Sequence, residues 1–227
     1  MRTLAIGDIH GCHTALVTLL RQAVPQPDDQ VVFLGDYIDR GRDSRAVLDC
    51  LLQQRSTCRP VFLRGNHEVM ILDARMDSAK ERLWQDYGGF ETLCSYEAER
   101  RDDWPAAIPK PHWGFLERTV PYLEIPRQIF VHACIDPDLD MGEQPEWLLY
   151  WEFFDRMRPH KSGKKVICGH TPQQSGQIND VEYAACIDTG AVGGGWLTCL
   201  EVDSGRYWQA NEKGERRSGM VAGISSA

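Results

Sequence analysis

Six residues of this 227-residue chain have side chains suited to holding cations: Asp8, His10, Asp36, Asn66, His132 and His170. Carboxylate, imidazole and amide oxygen are borderline-hard donors, a set that suits manganese, iron or zinc better than a thiol-loving metal. Six such ligands exceed the need of one tetrahedral site. They fit two divalent ions roughly 3.5–4 Å apart, bridged by a carboxylate and a water. Two divalent ions less two aspartates leave a positive centre that attracts phosphate and acidifies bound water.

The residues stand where the chain would bring them together. Five short apolar runs each end in a polar cluster: Thr3 to Gly7 before Asp8-Ile9-His10, Val31 to Gly35 before Asp36, Pro60 to Gly65 before Asn66-His67-Glu68, Ile129 to Val131 before His132, and Lys165 to Gly169 before His170. Runs of this length, rich in β-branched residues, predict buried strands. Helix-spaced apolar residues follow the early runs at Ala15, Leu16, Leu19 and Leu20, and at Ala46, Val47, Leu51 and Leu52. Alternating strands and helices imply an α/β core, whose ligands bind beyond the carboxyl ends of the strands. Leu197 to Asp203, Ser204-Gly205 and the following Arg206 to Ala210 predict a hairpin. Leu83 to Glu99 and Pro111 to Arg118 predict helices of a cap-like layer spanning about residues 75–125.

Composition bounds the rest. The net charge of −8 argues against a nucleic-acid partner, which needs a basic face. No apolar run reaches the ~20 residues that span a bilayer. The start, MRTLAIGD, is not expected to be a signal peptide, since its apolar stretch is short. Eight scattered cysteines without a CxxC pair fit a reducing cytoplasm and not a zinc–thiolate site. The length suits a single domain over 1–227, with a loosely attached tail over about 211–227.

Three segments in order, Gly7-Asp8-Ile9-His10-Gly11, Gly35-Asp36-Tyr37-Ile38-Asp39-Arg40-Gly41 and Gly65-Asn66-His67-Glu68, resemble the signature motifs of the phosphoprotein phosphatase branch of the calcineurin-like metallophosphoesterases. Val131-His132-Ala133 and Gly169-His170-Thr171 resemble that family's later histidine motifs, and Ile187 to Ala191 is similar to the closing segment of its bacterial and phage members. The resemblance implies a sandwich of two mixed β-sheets flanked by helices. It implies that Asp8, His10 and Asp36 hold one metal, with Asp36 bridging, and that Asn66, His132 and His170 complete the second. Manganese is the leading metal, with iron or zinc as alternatives. His67 would be the general acid, oriented by Asp39, while a metal-bridging hydroxide attacks phosphorus in line. Arg40 would clamp phosphate, and Asn66 could donate to it.

The implied activity is hydrolysis of phosphate monoesters, of a phosphoprotein or a small phosphorylated substrate, with phosphoserine and phosphothreonine as the leading substrates. Symmetrical hydrolysis of diadenosine tetraphosphate is the alternative, and a non-catalytic metal scaffold ranks below both. One departure stands out. The family's second phosphate-binding arginine, in a Leu-Leu-Trp-x-Arg segment, falls near Phe153, and Arg156 or Arg158 would have to replace it. Glu68 is expected to cap the following helix. His13 is read as a surface residue or one flanking the site, not as catalytic, His112 as structural, His160 as part of a solvated loop, and Trp147 and Trp151 as core in preference to a substrate groove. Gly190 to Gly195 lacks the Lys-Ser/Thr of a nucleotide loop and is read as a tight turn near the metals.

Overall fold

The computed structural model describes residues 1–221. The five apolar runs form strands: β1 (Thr3–Ile6), β2 (Gln30–Phe33) and β3 (Arg59–Phe62), then, after the short β4 (Tyr122–Glu124), β5 (Gln128–Val131) and β6 (Lys165–Cys168). Helices α1 (His13–Ala23) and α2 (Ser44–Gln53) connect the first three strands, so β1, β2 and β3 lie parallel. After α3 (Asn66–Ala74), the chain builds α4 (Ser78–Trp84), α5 (Phe90–Ser95) and α6 (Lys110–Glu117), with α7 (Glu146–Trp151) between β5 and β6. It then adds β7 (Asn179–Val181), β8 (Ala184–Cys186), β9 (Leu197–Glu201), β10 (Arg206–Ala210) and β11 (Arg216–Met220).

Two sheets result, ordered β11-β10-β9-β1-β2-β3 and β4-β5-β6-β8-β7. Both are mixed: β9, β10 and β11 run antiparallel in the first, β4 and β7 in the second. Successive strand residues face opposite sides, and here both sides are buried. Leu4, Ile6, Val31 and Phe33 pack outward under α1 and α2, while Ala5, Val32 and Leu34 meet Phe130, Ile167 and Ala185 of the other sheet. Ile129, Val131, Val166 and Cys168 face outward into a third cluster with Leu149 and Tyr150 of α7. The strands therefore read as continuous apolar runs, without alternation, because two apolar layers claim them.

The predicted helix over Leu83 to Glu99 is broken. A wide turn, Gln85–Gly89, separates α4 from α5, and Gly88 within it has φ 108°. The tail expected to be loose from Asn211 is instead ordered as far as it is described: β11 pairs with β10 from Arg206↔Met220 to Ala210↔Arg216. Its residues alternate between exposed and half-buried, as in a solvated edge strand, which the polar composition concealed. The rest of that tail, 222–227, lies outside the described residues. No helix among the described residues is long and apolar enough to cross a membrane.

Candidate active site

The site lies where the parallel strands of both sheets end. Asp8, Asp36 and Asn66 follow β1, β2 and β3; His132 and His170 follow β5 and β6. A sixth strand end, that of β8, delivers Asp188, which the sequence reading left without a role. Its signal was present, since Ala184 to Ile187 is another apolar run closing on an acid. The turns that aim these residues are strained: His10, Asp36, Asp39, Arg40 and His170 all have positive φ, between 44° and 72°. Such conformations cost on the order of 1–3 kcal/mol each in non-glycine residues and concentrate at functional sites. Gly65 is required by contact, because a Cβ there would stand 2.1 Å from Asp36 Oδ1.

Three imidazoles are held in the same way. His10 Nδ1 donates to Ile38 O at 2.9 Å, His132 Nδ1 to Leu34 O at 2.8 Å, and His170 Nε2 to Trp151 O at 3.2 Å. Each outer N–H on a carbonyl fixes the tautomer and leaves a lone pair facing inward, the usual support of a metal-binding histidine. The inner nitrogens converge on Asp36: His10 Nε2 lies 3.3 Å from Oδ2 and His132 Nε2 3.4 Å from Oδ1. Two trios of donor atoms, His10–Asp36–His67 and Asp36–His132–His170, each fall within 4.8 Å and share Asp36. Asn66 Oδ1 completes the second, 3.0 Å from His132 Nε2 and 3.1 Å from His170 Nδ1. This amide oxygen faces acceptors alone, whereas the reversed amide would donate N–H to all of them. Lone pairs turned on one another suit a cation between them, so the residues fit divalent metal ions. Asp8 belongs to neither trio. Its carboxylate accepts the His170 amide at 3.0 Å.

Charge supports the same assignment. Burial, with Asp188 and Asp36 nearby, holds the Asp8 carboxyl well above its ordinary range. Asp188 is raised chiefly by burial too. Burial opposes ionisation of Asp36, but the surrounding His132, His67 and His10 pull it well below the usual range. Burial lowers His132 to about 4, and it also lowers His170, keeping both neutral as ligands must be. For His10 burial is the larger single influence, yet contact with Asp36 overrides it and the net shift is upward.

His67 differs from the other three. Its Nδ1 donates to the carboxylate of Asp39 at 2.7 Å, not to a carbonyl, and its buried Nε2 has no hydrogen-bond partner among the described residues. Arg40 lies at the mouth, its Nη1 3.1 Å from His10 Nε2. His10 and Arg40 line a cavity of about 280 Å³ whose far wall is Gln173, Gln174 and the 190–195 turn. Glu68 caps α3 by accepting the Gly65 amide at 2.9 Å, and it also accepts the amides of Asp36 and Tyr37 at 2.8 and 2.9 Å. It thereby pins the turn that carries the shared aspartate. Glu68→Gln turns an N–H toward these donors, so its urea midpoint is expected to fall by the equivalent of about 1–3 kcal/mol.

Other expectations are corrected or relocated. Arg156 is exposed in the turn Phe154–Arg156, and among the described residues no hydrogen bond or ion pair joins its side chain to the cluster. The ring beside the site is Phe153, stacked 5.8 Å from His170 and 57% exposed. Trp147 and Trp151 are not core but 58% and 41% exposed, because α7 buries Leu149 and Tyr150 instead. His160 is not solvated: it is buried, with Nε2 on Leu139 O at 2.8 Å. His112 is structural, held between Tyr96 and Asp49. His13 is half-buried beside the first motif.

Two sets of parallel strands closing on a buried, aspartate-shared group of metal donors define a metallophosphoesterase, a hydrolase of phosphoric esters that uses divalent metals. The chain belongs to the calcineurin-like phosphoesterase family, whose model matches residues 1–194. It is 33% identical over 208 residues to serine/threonine-protein phosphatase 1 of Salmonella typhimurium, covering 87% of this chain and 90% of that one. It is 26% identical over 266 aligned positions to the symmetrical bis(5'-nucleosyl)-tetraphosphatase of Pseudomonas fluorescens, covering 90% and 89%. Among solved structures, a cold-active protein tyrosine phosphatase shares the fold at TM-score 0.65, with 17% identity over 98% of this chain and 80% of that one.

Proposed function

We propose that this protein is a dinuclear-metal phosphatase acting on phosphate monoesters, with phosphoserine and phosphothreonine side chains as its substrate class. The observation that carries this reading is the division among the four inward imidazoles. Three lean on neutral carbonyls and suit ligation. His67 leans instead on the buried carboxylate of Asp39, which orients the ring through Nδ1 and leaves Nε2 for proton transfer.

In this reading Asp8, His10 and Asp36 hold one divalent ion and Asn66, His132 and His170 the other, with Asp36 shared. Manganese is the leading metal, ahead of iron or zinc. When bound, the pair supplies positive charge to the phosphate and lowers the pKa of coordinated water. Arg40 swings from His10 to phosphate oxygens, its planar fork matching two of them. Asn66 keeps its amide N–H for a further phosphate oxygen. Asp39 holds the His67 ring, and His67 Nε2 gives its proton to the leaving oxygen. The Salmonella relative supports the substrate class. So does size: the tetraphosphatase alignment, at 266 positions, exceeds the 227 residues of this chain, which lacks the extra segments. A cytoplasmic setting fits the eight free cysteines.

The test compares phosphoserine peptide, para-nitrophenyl phosphate and diadenosine tetraphosphate under one manganese concentration. The expected order puts both monoesters ahead of the dinucleotide. Faster turnover of diadenosine tetraphosphate moves the protein to the tetraphosphatase class. No turnover of any ester by metal-loaded protein sinks the enzymatic reading.

A further inference from the structure

Asp39 is held by more than His67. Its Oδ2, which receives His67 Nδ1 at 2.7 Å, also receives Trp84 Nε1 at 2.8 Å. Its Oδ1 receives the hydroxyl of Thr92 at 2.6 Å. Both donors come from the α4–α5 segment, outside the strand-end motifs.

The proton accounting around Thr92 is closed. Its single hydroxyl proton goes to Asp39, so the Ser44 hydroxyl 2.9 Å away donates to it. The Asp39 amide donates to both hydroxyl oxygens, at 2.9 Å to Thr92 and 3.1 Å to Ser44. The same segment grips the next residue, since Arg40 N donates to Gly88 O at 2.9 Å. A Cβ on Gly88 would stand 2.7 Å from that nitrogen, so the approach needs glycine. Trp84 is fully buried and backed by Trp104, with ring centroids 5.0 Å apart. The wide turn Gln85–Gly89 places Trp84 and Thr92 on the two oxygens of one carboxylate.

We infer that Trp84 and Thr92 are positioning residues for proton transfer, acting through Asp39 on His67. This rests on the phosphatase reading above. Two donors from a rigid arm fix the carboxylate plane, and that plane sets where His67 Nε2 points. Without Thr92, Asp39 Oδ1 loses its side-chain donor; without Trp84, Oδ2 is left to His67; in either case the carboxylate can rotate, and the His67 ring follows it. Asp39 has buried donors for a second reason as well, since a buried carboxylate without them destabilises the fold. The test therefore has to separate positioning from folding.

The separation comes from the leaving group. A serine alkoxide leaves only with a proton, whereas para-nitrophenolate is a stable anion that leaves without one. Thr92→Val is nearly isosteric and removes only the hydroxyl; Trp84→Phe removes only the indole N–H. Each manganese-loaded variant is assayed on phosphoserine peptide and on para-nitrophenyl phosphate. The loss of one charge-assisted hydrogen bond is expected to lower kcat on the phosphoserine peptide about 10-fold or more. On para-nitrophenyl phosphate the loss is expected to stay within about threefold, with KM little moved on either. Thr92→Ser restores the phosphoserine rate. Equal losses on both esters in folded variants overturn the inference and leave Trp84 and Thr92 purely structural. If Trp84→Phe does not fold, the Thr92 pair decides. A wild-type protein that hydrolyses neither ester overturns the phosphatase reading, and this inference with it.

Discussion

Asparagine at position 67 is expected to lower turnover of an alkyl phosphate ester by roughly 10²–10⁴-fold while both metals stay bound. Proximity alone does not settle what His67 does, because its donor atom lies in one of the two trios with His10 and Asp36. Its outer contact argues for acid rather than ligand. The ligand histidines are supported by carbonyls, whereas His67 Nδ1 is held by the carboxylate of Asp39, wholly buried beside it, the arrangement of a proton-transferring imidazole. His67 Nε2 stands 4.0 Å from Asp36 Oδ2 and has no hydrogen-bond partner among the described residues, which leaves it available to a leaving oxygen. Metal content per chain, measured beside the rate, is the check. Loss of one ion from His67→Asn would make His67 a ligand and remove the acid from the mechanism.

The strand ends were legible in the sequence because two physical requirements coincide there. A strand buried on both faces must be apolar, and the turn that ends it is the first place a polar side chain can stand. Five of the six ends announced themselves in this way. The end of β8 is equally apolar, but its Ala-Ala-Cys run is short and little β-branched, so it marks Asp188 only weakly.

The arm from α4 to α5 was harder to read. Trp84 and Thr92 look like ordinary core residues in a helical pattern, and only tertiary contact shows that their polar atoms meet Asp39. The break at Gly88 also cut a helix that periodicity alone would continue. The exposed Trp147 and Trp151 failed for the opposite reason. Size and hydrophobicity predict burial, but six-residue α7 turns Leu149 and Tyr150 inward and has no second face to bury. β11, read as part of a loose tail, is held by backbone pairing that its Arg-rich sequence does not advertise.

Stripping the divalent ions is expected to abolish turnover and to lower Tm, with the gap between metal-loaded and metal-free protein widening from pH 6.5 to pH 8. Without metal, burial and the charge of Asp36 raise Glu68 from 4.5 to about 8, and Asp8 and Asp188 shift the same way. For groups raised in the folded state, stability is fully present below the unfolded pKa and is lost as pH climbs through the folded one. His10, raised from 6.5, has the same sign. His132 and His170 have the opposite sign, but they act lower: His132, depressed from 6.5 to about 4, costs stability only as pH falls through that range. Between pH 6.5 and 8 the metal-free protein therefore loses stability as pH rises. Bound cations reverse this, since they stabilise the ionised carboxylates and displace the same protons. At ion concentrations about 100-fold above Kd, each site adds about 2.7 kcal/mol, on the order of 5–10 °C for a chain of this size. Calorimetry of chelated and manganese-loaded protein at both pH values measures the gap, and titration in buffers of different ionisation enthalpy counts the protons released. A metal-free Tm that holds or rises from pH 6.5 to 8, or binding without proton release, would mean that the buried carboxyls are not what the cations neutralise.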